Sequence, residues 1–142
     1  MATNLNIEIV SPQEETIWGL RSYRGKIIIG DFEETIYVPV EFWSLADYQK
    51  QWAEGLERIK NETKSCLVAA IQGHNGIPTL INWWAMYKKD NKIFIQNQLL
   101  IEKSLEKTLH KSSFTVENCY DHIPRKSISK KVSEWVVDIE KT

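Results

Sequence analysis

The sequence predicts an α+β fold, a curved antiparallel sheet built as a meander with one long amphipathic helix packed across it. Three observations carry this reading. Apolar residues alternate with polar ones over several short stretches, as half-buried strands require. Polar turns such as Gly73-His74-Asn75-Gly76 and Lys89-Asp90-Asn91 separate those stretches, and strands joined by short turns run antiparallel. Between the strand groups, Ser44 to about Asn61 carries apolar residues at helical spacing.

Taken in order, Leu5, Ile7 and Ile9 alternate with Asn6 and Glu8 to make a first strand that Pro12 ends. Trp18 to Tyr23 is open between a short strand and a loop, and Arg24-Gly25 reads as a turn. Lys26 to Gly30 and Thr35 to Val40 then form a hairpin with Asp31-Phe32-Glu33-Glu34 at its tip. Pro39 lies near the end of the second strand, where an edge tolerates its missing N–H.

A Phe42-Trp43 step leads into the helix. Ser44 caps it, and Asp47 three residues on completes a short capping box. Leu45, Tyr48, Trp52, Leu56 and Ile59 share one face, and Lys50, Gln51, Glu54, Glu57 and Arg58 lie opposite, with Glu54 and Arg58 spaced to pair. Gly55 weakens the helix locally and permits a close approach to the sheet. Strands follow at Lys64 to Gln72, Thr79 to Tyr87 and Lys92 to Ile101. Lys103 to His110 reads as a short helix, Tyr120 to Pro124 as a turn or helix end, and Val132 to Ile139 as a strand or short helix with Trp135 inward. No linker or repeat divides the chain, so residues 1–142 are expected to form one domain.

The formal net charge of −1 conceals an asymmetry: ten acids face five bases up to Arg58, and nine face thirteen beyond it. The acidic first half argues against a general nucleic-acid binder, while the basic second half keeps that class open. Six tryptophans are too many for the centre of so small a body, which places one or more at a rim or an interface. Cys66 and Cys119 give no disulfide framework, in keeping with a reducing cytosol. The start MATNLNIEIV lacks a signal-peptide pattern, and no apolar stretch approaches a membrane span. A soluble cytoplasmic protein without membrane partners is expected.

No catalytic or cofactor set is legible. Cys119-x-x-His122 is half of a zinc pattern, and neither His74 nor His110 supplies the other half, since structural zinc takes four ligands. Pairing Cys66 or Cys119 with a distant histidine as nucleophile and base is a combination almost any chain offers. Asp31, Glu33 and Glu34 on a turn point apart and stay solvated, which makes them poor general acids. They form either a solubilising turn or a surface for a basic protein. Trp83 and Trp84 are neighbours on a strand and face opposite sides, so one points away from the core unless a further layer covers it. Gln96 and Gln98 interrupt an apolar strand, and need partners if covered or are contacts on an outer face. The basic run Lys126 to Lys131 reads as a solvated loop. The candidate contact set is therefore Asp31, Glu33, Glu34, Trp83, Trp84, Gln96 and Gln98, with no metal and no cofactor.

One ordered set of residues points further. Asp31-Phe32-Glu33-Glu34, Pro39, Phe42-Trp43, Asp47-Tyr48, Trp52, Leu56, Ser65, Ile81-Asn82-Trp83, Tyr87, Lys92 to Asn97 and Val132 to Trp135 together resemble the immunity proteins of bacterial contact-dependent growth inhibition. The group most similar is the one whose cognate toxin is a ribonuclease acting on 16S ribosomal RNA. The match runs from about Ile27 to Trp135. This resemblance implies a Whirly-like fold and a protein that is not an enzyme. Such a protein binds the C-terminal toxin domain delivered by a neighbouring cell and blocks it. The rival reading is a single-stranded nucleic-acid binder, which would use an exposed tryptophan and the basic second half.

Overall fold

The computed structural model describes residues 5–74, 77–101 and 114–138. Strands β1 (Leu5–Ile17), β2 (Leu20–Ile29) and β3 (Phe32–Pro39) form a three-stranded antiparallel sheet in that order. Helix α1 (Leu45–Asn61) follows, and β4 (Lys64–His74), β5 (Ile77–Lys89), β6 (Lys92–Ile101) and β7 (Glu134–Asp138) form a four-stranded antiparallel sheet. A 3-10 turn spans Cys119–His122. The class is α+β, and both sheets are meanders.

Three features differ from the sequence expectation. The strands make two sheets, not one curved sheet, because the chain leaves β3 through Phe42-Trp43 into the helix and no ladder joins β3 to β4. Arg24-Gly25 is not a turn either, for β2 runs straight through it. Gly25 serves the strand pair: a Cβ there would lie 2.6 Å from the Glu8 carbonyl oxygen, so only glycine lets β1 come this close. The turn falls instead at Trp18-Gly19, both with positive φ. β1 also continues past Pro12, through a register shift between Ile9 and Glu14 that absorbs the proline. The expected helix at Lys103 to His110 lies outside the described residues.

The helix begins as its sequence dictates. The Ser44 side chain accepts from the Asp47 N–H at 3.1 Å, and the Asp47 carboxylate accepts from the Ser44 N–H at 3.1 Å. Its packing is less ordinary, because α1 covers the outer edge of β4, whose backbone groups have no strand beside them. The Gln51 amide donates to the Cys66 carbonyl at 2.7 Å and accepts from Val68 N–H at 2.7 Å. Trp52 Nε1 donates to the Val68 carbonyl at 2.7 Å, and the Tyr48 hydroxyl accepts from Ile71 N–H at 3.0 Å. Gln51 is thus fully buried, not solvent-facing. A helix lying on a strand edge must present polar groups to it, since buried backbone groups left unbonded are costly. Gly55 permits the approach, as a Cβ there would overlap the Cys66 carbonyl oxygen. Arg58, spaced to pair with Glu54, lies over the Tyr120 ring at 4.6 Å from its centroid.

Candidate interaction site

The acidic hairpin is built on a two-residue turn. Ile29 pairs with Phe32, leaving Gly30-Asp31 between them, and Gly30 takes a φ of 60° as the first central residue of such a tight hairpin turn. The tip is therefore shorter than its sequence suggests: Phe32, Glu33 and Glu34 belong to β3 and alternate across it. Phe32 turns inward, its ring 4.5 Å from that of Trp135 and 6.4 Å from that of Trp84. That contact braces the tip against the second sheet.

Charge on this sheet is unevenly compensated. Residues 5–40 hold six acids and three bases. Arg21 binds Glu14 through two nitrogens at 3.0 and 3.2 Å, and its guanidinium holds the Glu14 carboxyl below the usual carboxylate range. Arg24 approaches Glu15 at 3.9 Å, while Lys26 lies 3.3 Å from Glu33 and 3.7 Å from Glu8. Exposed pairs of this kind add little stability, but they use up every cation of the sheet. Asp31 and Glu34 make no ion pair among the described residues, and both are exposed. Uncompensated negative charge therefore collects at the hairpin.

The other four expected contact residues are not brought to this surface. Trp83 and Trp84 are both 0% exposed. Each face of β5 is covered: Phe32 and Trp135 pack on Trp84, and Phe114 packs on Trp83 at 5.9 Å between rings. Gln96 and Gln98 are buried within one hydrogen-bond network. Trp83 Nε1 donates to Gln98 Oε1 at 2.9 Å, and Gln98 Nε2 donates to the Tyr87 hydroxyl at 3.0 Å and to Gln96 Oε1 at 3.1 Å. Gln96 Nε2 donates to the Ser127 carbonyl at 2.8 Å and to Glu134 at 2.9 Å. These amides tie the segment around residues 124–127 down onto the sheet, so their polarity serves packing. In this structure none of these four residues presents an exposed surface.

Among the described residues, the thiols and His122 assemble nothing further. Cys66 and Cys119 are both buried and reduced, and burial, reinforced by the neighbouring Cys119, pushes the Cys66 thiol well above its ordinary value. A thiol held protonated is a poor nucleophile. The His122 ring stacks on Phe114. Among the described residues no three His, Cys, Asp or Glu side chains group to hold a metal ion, and no helix is long and apolar enough to cross a membrane.

One residue escaped the sequence reading. Trp18, at the β1–β2 turn, is 90% exposed, while Trp43, Trp52, Trp83 and Trp84 are buried and Trp135 is half-buried. The signal was available in the Trp18-Gly19 pair, since a glycine at the second position of a two-residue turn marks a hairpin tip.

Fold and surface together define a small α+β domain whose most organised exposed feature is a braced acidic hairpin, the profile of a protein-binding module. The chain belongs to the family described as the CdiI N-terminal domain, whose model matches residues 38–142. It is 27% identical over 120 residues to the immunity protein CdiI of Enterobacter cloacae subsp. cloacae, covering 81% of this chain and 78% of the relative. Its fold is similar to a chain of the CdiA-CT/CdiI toxin and immunity complex from Enterobacter cloacae, with a TM-score of 0.75 and 27% identity over 94% of this chain and 90% of that one. The resemblance read from the ordered aromatic anchors holds: this is an immunity protein of contact-dependent growth inhibition.

Proposed function

We propose that this chain, acting as one domain over residues 1–142 in the cytoplasm, binds and neutralises the C-terminal domain of a CdiA-type toxin, and that the toxin is a ribonuclease. It acts by occupancy and not by catalysis. The observation that carries the reading is the uncompensated charge of Asp31 and Glu34 on a hairpin braced through Phe32. A ribonuclease holds RNA phosphates and so presents a basic cleft, and an acidic inhibitor mimics that charge, speeds encounter and occludes the cleft. The relative's place in a toxin and immunity complex supports the same partner class. The test is to co-express this chain with the toxin domain encoded next to it, then to assay RNA cleavage by that domain with and without the purified chain. Growth arrest despite co-expression, or undiminished cleavage with the chain in excess, rejects the reading.

A concavity of about 430 Å³ lined by Lys64, Lys88, Lys89, Arg125 and Lys126 around Tyr87 and Phe94 favours a second reading, a single-stranded nucleic-acid binder. The acidic hairpin and the burial of the Trp83-Trp84 pair count against it. Titration with labelled single strands at low and moderate salt separates the two, since backbone binding falls steeply with salt.

A further inference from the structure

The sheet edges of this fold are treated unequally. The β4 edge is closed by side chains of α1. β1 is interrupted by Pro12 and a register shift, and β7 spans five of the described residues, both common ways of blunting an edge. β3 is different. It pairs with β2 in unbroken register over eight residues, from Ile29↔Phe32 to Ser22↔Pro39, and among the described residues its backbone bonds to no other strand.

Beside that unladdered edge runs a groove of about 310 Å³ between β3 and the second sheet, with Ala69, Ala70 and Gln72 of β4 also lining it. Leu80 and Leu99 line its apolar side, Tyr37 its β3 wall, and Trp18 its far end. Glu34, at the hairpin end, is the one charged residue among those lining it. Trp18, Leu99 and Tyr37 are 90%, 57% and 41% exposed, so the groove is open apolar surface continuous with the acidic hairpin. The conformation of Trp18 adds a second argument. Its φ of 50° is one that asparagine or glycine takes easily in a two-residue turn and a bulky side chain does not. An indole so exposed contributes almost no burial to the fold, so the turn accepts strain with no packing gain inside this chain.

Resting on the toxin-binding reading above, we propose that the β3 edge takes up an extended segment of the toxin domain as an added strand, with Trp18 as the apolar anchor. At roughly 3.3 Å per residue, Glu34 to Pro39 accommodates a segment of about five or six residues. Its chemistry follows from the lining: alternate apolar side chains face Leu80, Leu99 and Trp18, and a lysine or arginine at the other end meets Glu34. Backbone hydrogen bonds to β3 supply affinity, and the alternate side chains supply specificity.

The test uses the purified full chain and the toxin domain encoded next to it. Trp18→Asn suits the turn better than tryptophan, so the variant should fold with an unchanged or higher Tm. It should bind the toxin domain at least about tenfold more weakly, as loss of an aromatic anchor does. Iodide quenching, dominated by the single exposed indole, should fall when the parent binds, and deuterium uptake across residues 32–39 should slow in the complex. Failure of the parent chain to bind removes the toxin-binding reading itself. Binding by the parent, with Trp18→Asn within twofold and residues 32–39 unprotected, overturns the strand addition alone. Protection of residues 32–39 in the chain without toxin, together with a dimeric sedimentation coefficient, assigns the edge to a second copy and likewise overturns it.

Discussion

Gln51 and Val68 are joined by a hydrogen bond of 2.7 Å from the strand N–H to the side-chain oxygen, while the same amide donates to the carbonyl of Cys66. One glutamine thereby meets the β4 edge with the donor and acceptor that a neighbouring strand would offer.

Gln51→Leu keeps the volume and removes both bonds, together with the one the amide donates to the Tyr120 hydroxyl at 3.2 Å. The Val68 N–H and Cys66 carbonyl would then be buried unsatisfied, each at about 1–3 kcal/mol. A loss of roughly 2–6 kcal/mol in urea unfolding is expected. A variant as stable as the parent would show that the helix does not depend on this bond pair for its seat.

Gly55→Ala separates helix propensity from packing. On an exposed helix the change would stabilise by about 1 kcal/mol. Here the added methyl would overlap the Cys66 carbonyl oxygen, and overpacking costs roughly 1–3 kcal/mol. Thermal unfolding should report a lower Tm, and a higher one would mean that the helix stands off the strand.

Changing Asp31, Glu33 and Glu34 together to Asn, Gln and Gln should leave the fold intact, since exposed turn and edge residues carry little stability. Association with the toxin domain should slow by roughly tenfold at low salt, and the difference should shrink as salt rises. Stopped-flow binding at several ionic strengths measures both. An effect on dissociation instead would place one of the three inside the interface, individually paired. Unchanged kinetics at low salt would make the hairpin a solubilising turn.

Alkaline pH should weaken the fold. Burial holds the Cys66 thiol and the Tyr48 phenol above their ordinary values. In the unfolded chain they ionise near about 8.5 and 10. A folded pKa above the unfolded one means full stability below the unfolded value and a progressive loss as pH rises past it. Calorimetry should therefore find Tm falling above about pH 8.5, with the onset displaced towards 10 in Cys66→Ala. A Tm level to pH 11 in the parent would contradict the burial of both groups.

Much of this was legible in the chain. The Ser44 and Asp47 capping box located the helix start, and the alternation in Lys92 to Ile101 gave β6 residue for residue. What misled were residues with two physical uses. Gly25 looked like a turn because glycine's freedom and its small size are indistinguishable in sequence, and here only size matters. Gln51 looked solvent-facing because a polar residue on an amphipathic helix usually is, unless the surface beneath it is a strand edge. Coverage of a sheet by distant segments, such as Phe114 and Ser127, has no local signature, so Trp83, Trp84, Gln96 and Gln98 read as available contacts in sequence alone. The acidic hairpin was visible, but its bracing through Phe32 depends on a strand about a hundred residues later.

That last contact bears on biosynthesis. Asp31 and Glu34 leave the ribosome early, yet the ring that steadies their hairpin lies against Trp135 of β7. A nascent chain arrested before Trp135 carries every carboxylate of the hairpin and its Trp84 contact, but lacks the closer ring of Trp135. The interval between translating the hairpin and setting it is therefore the time needed to make nearly all the remaining chain. The hairpin is therefore fully braced only late in the synthesis of the chain.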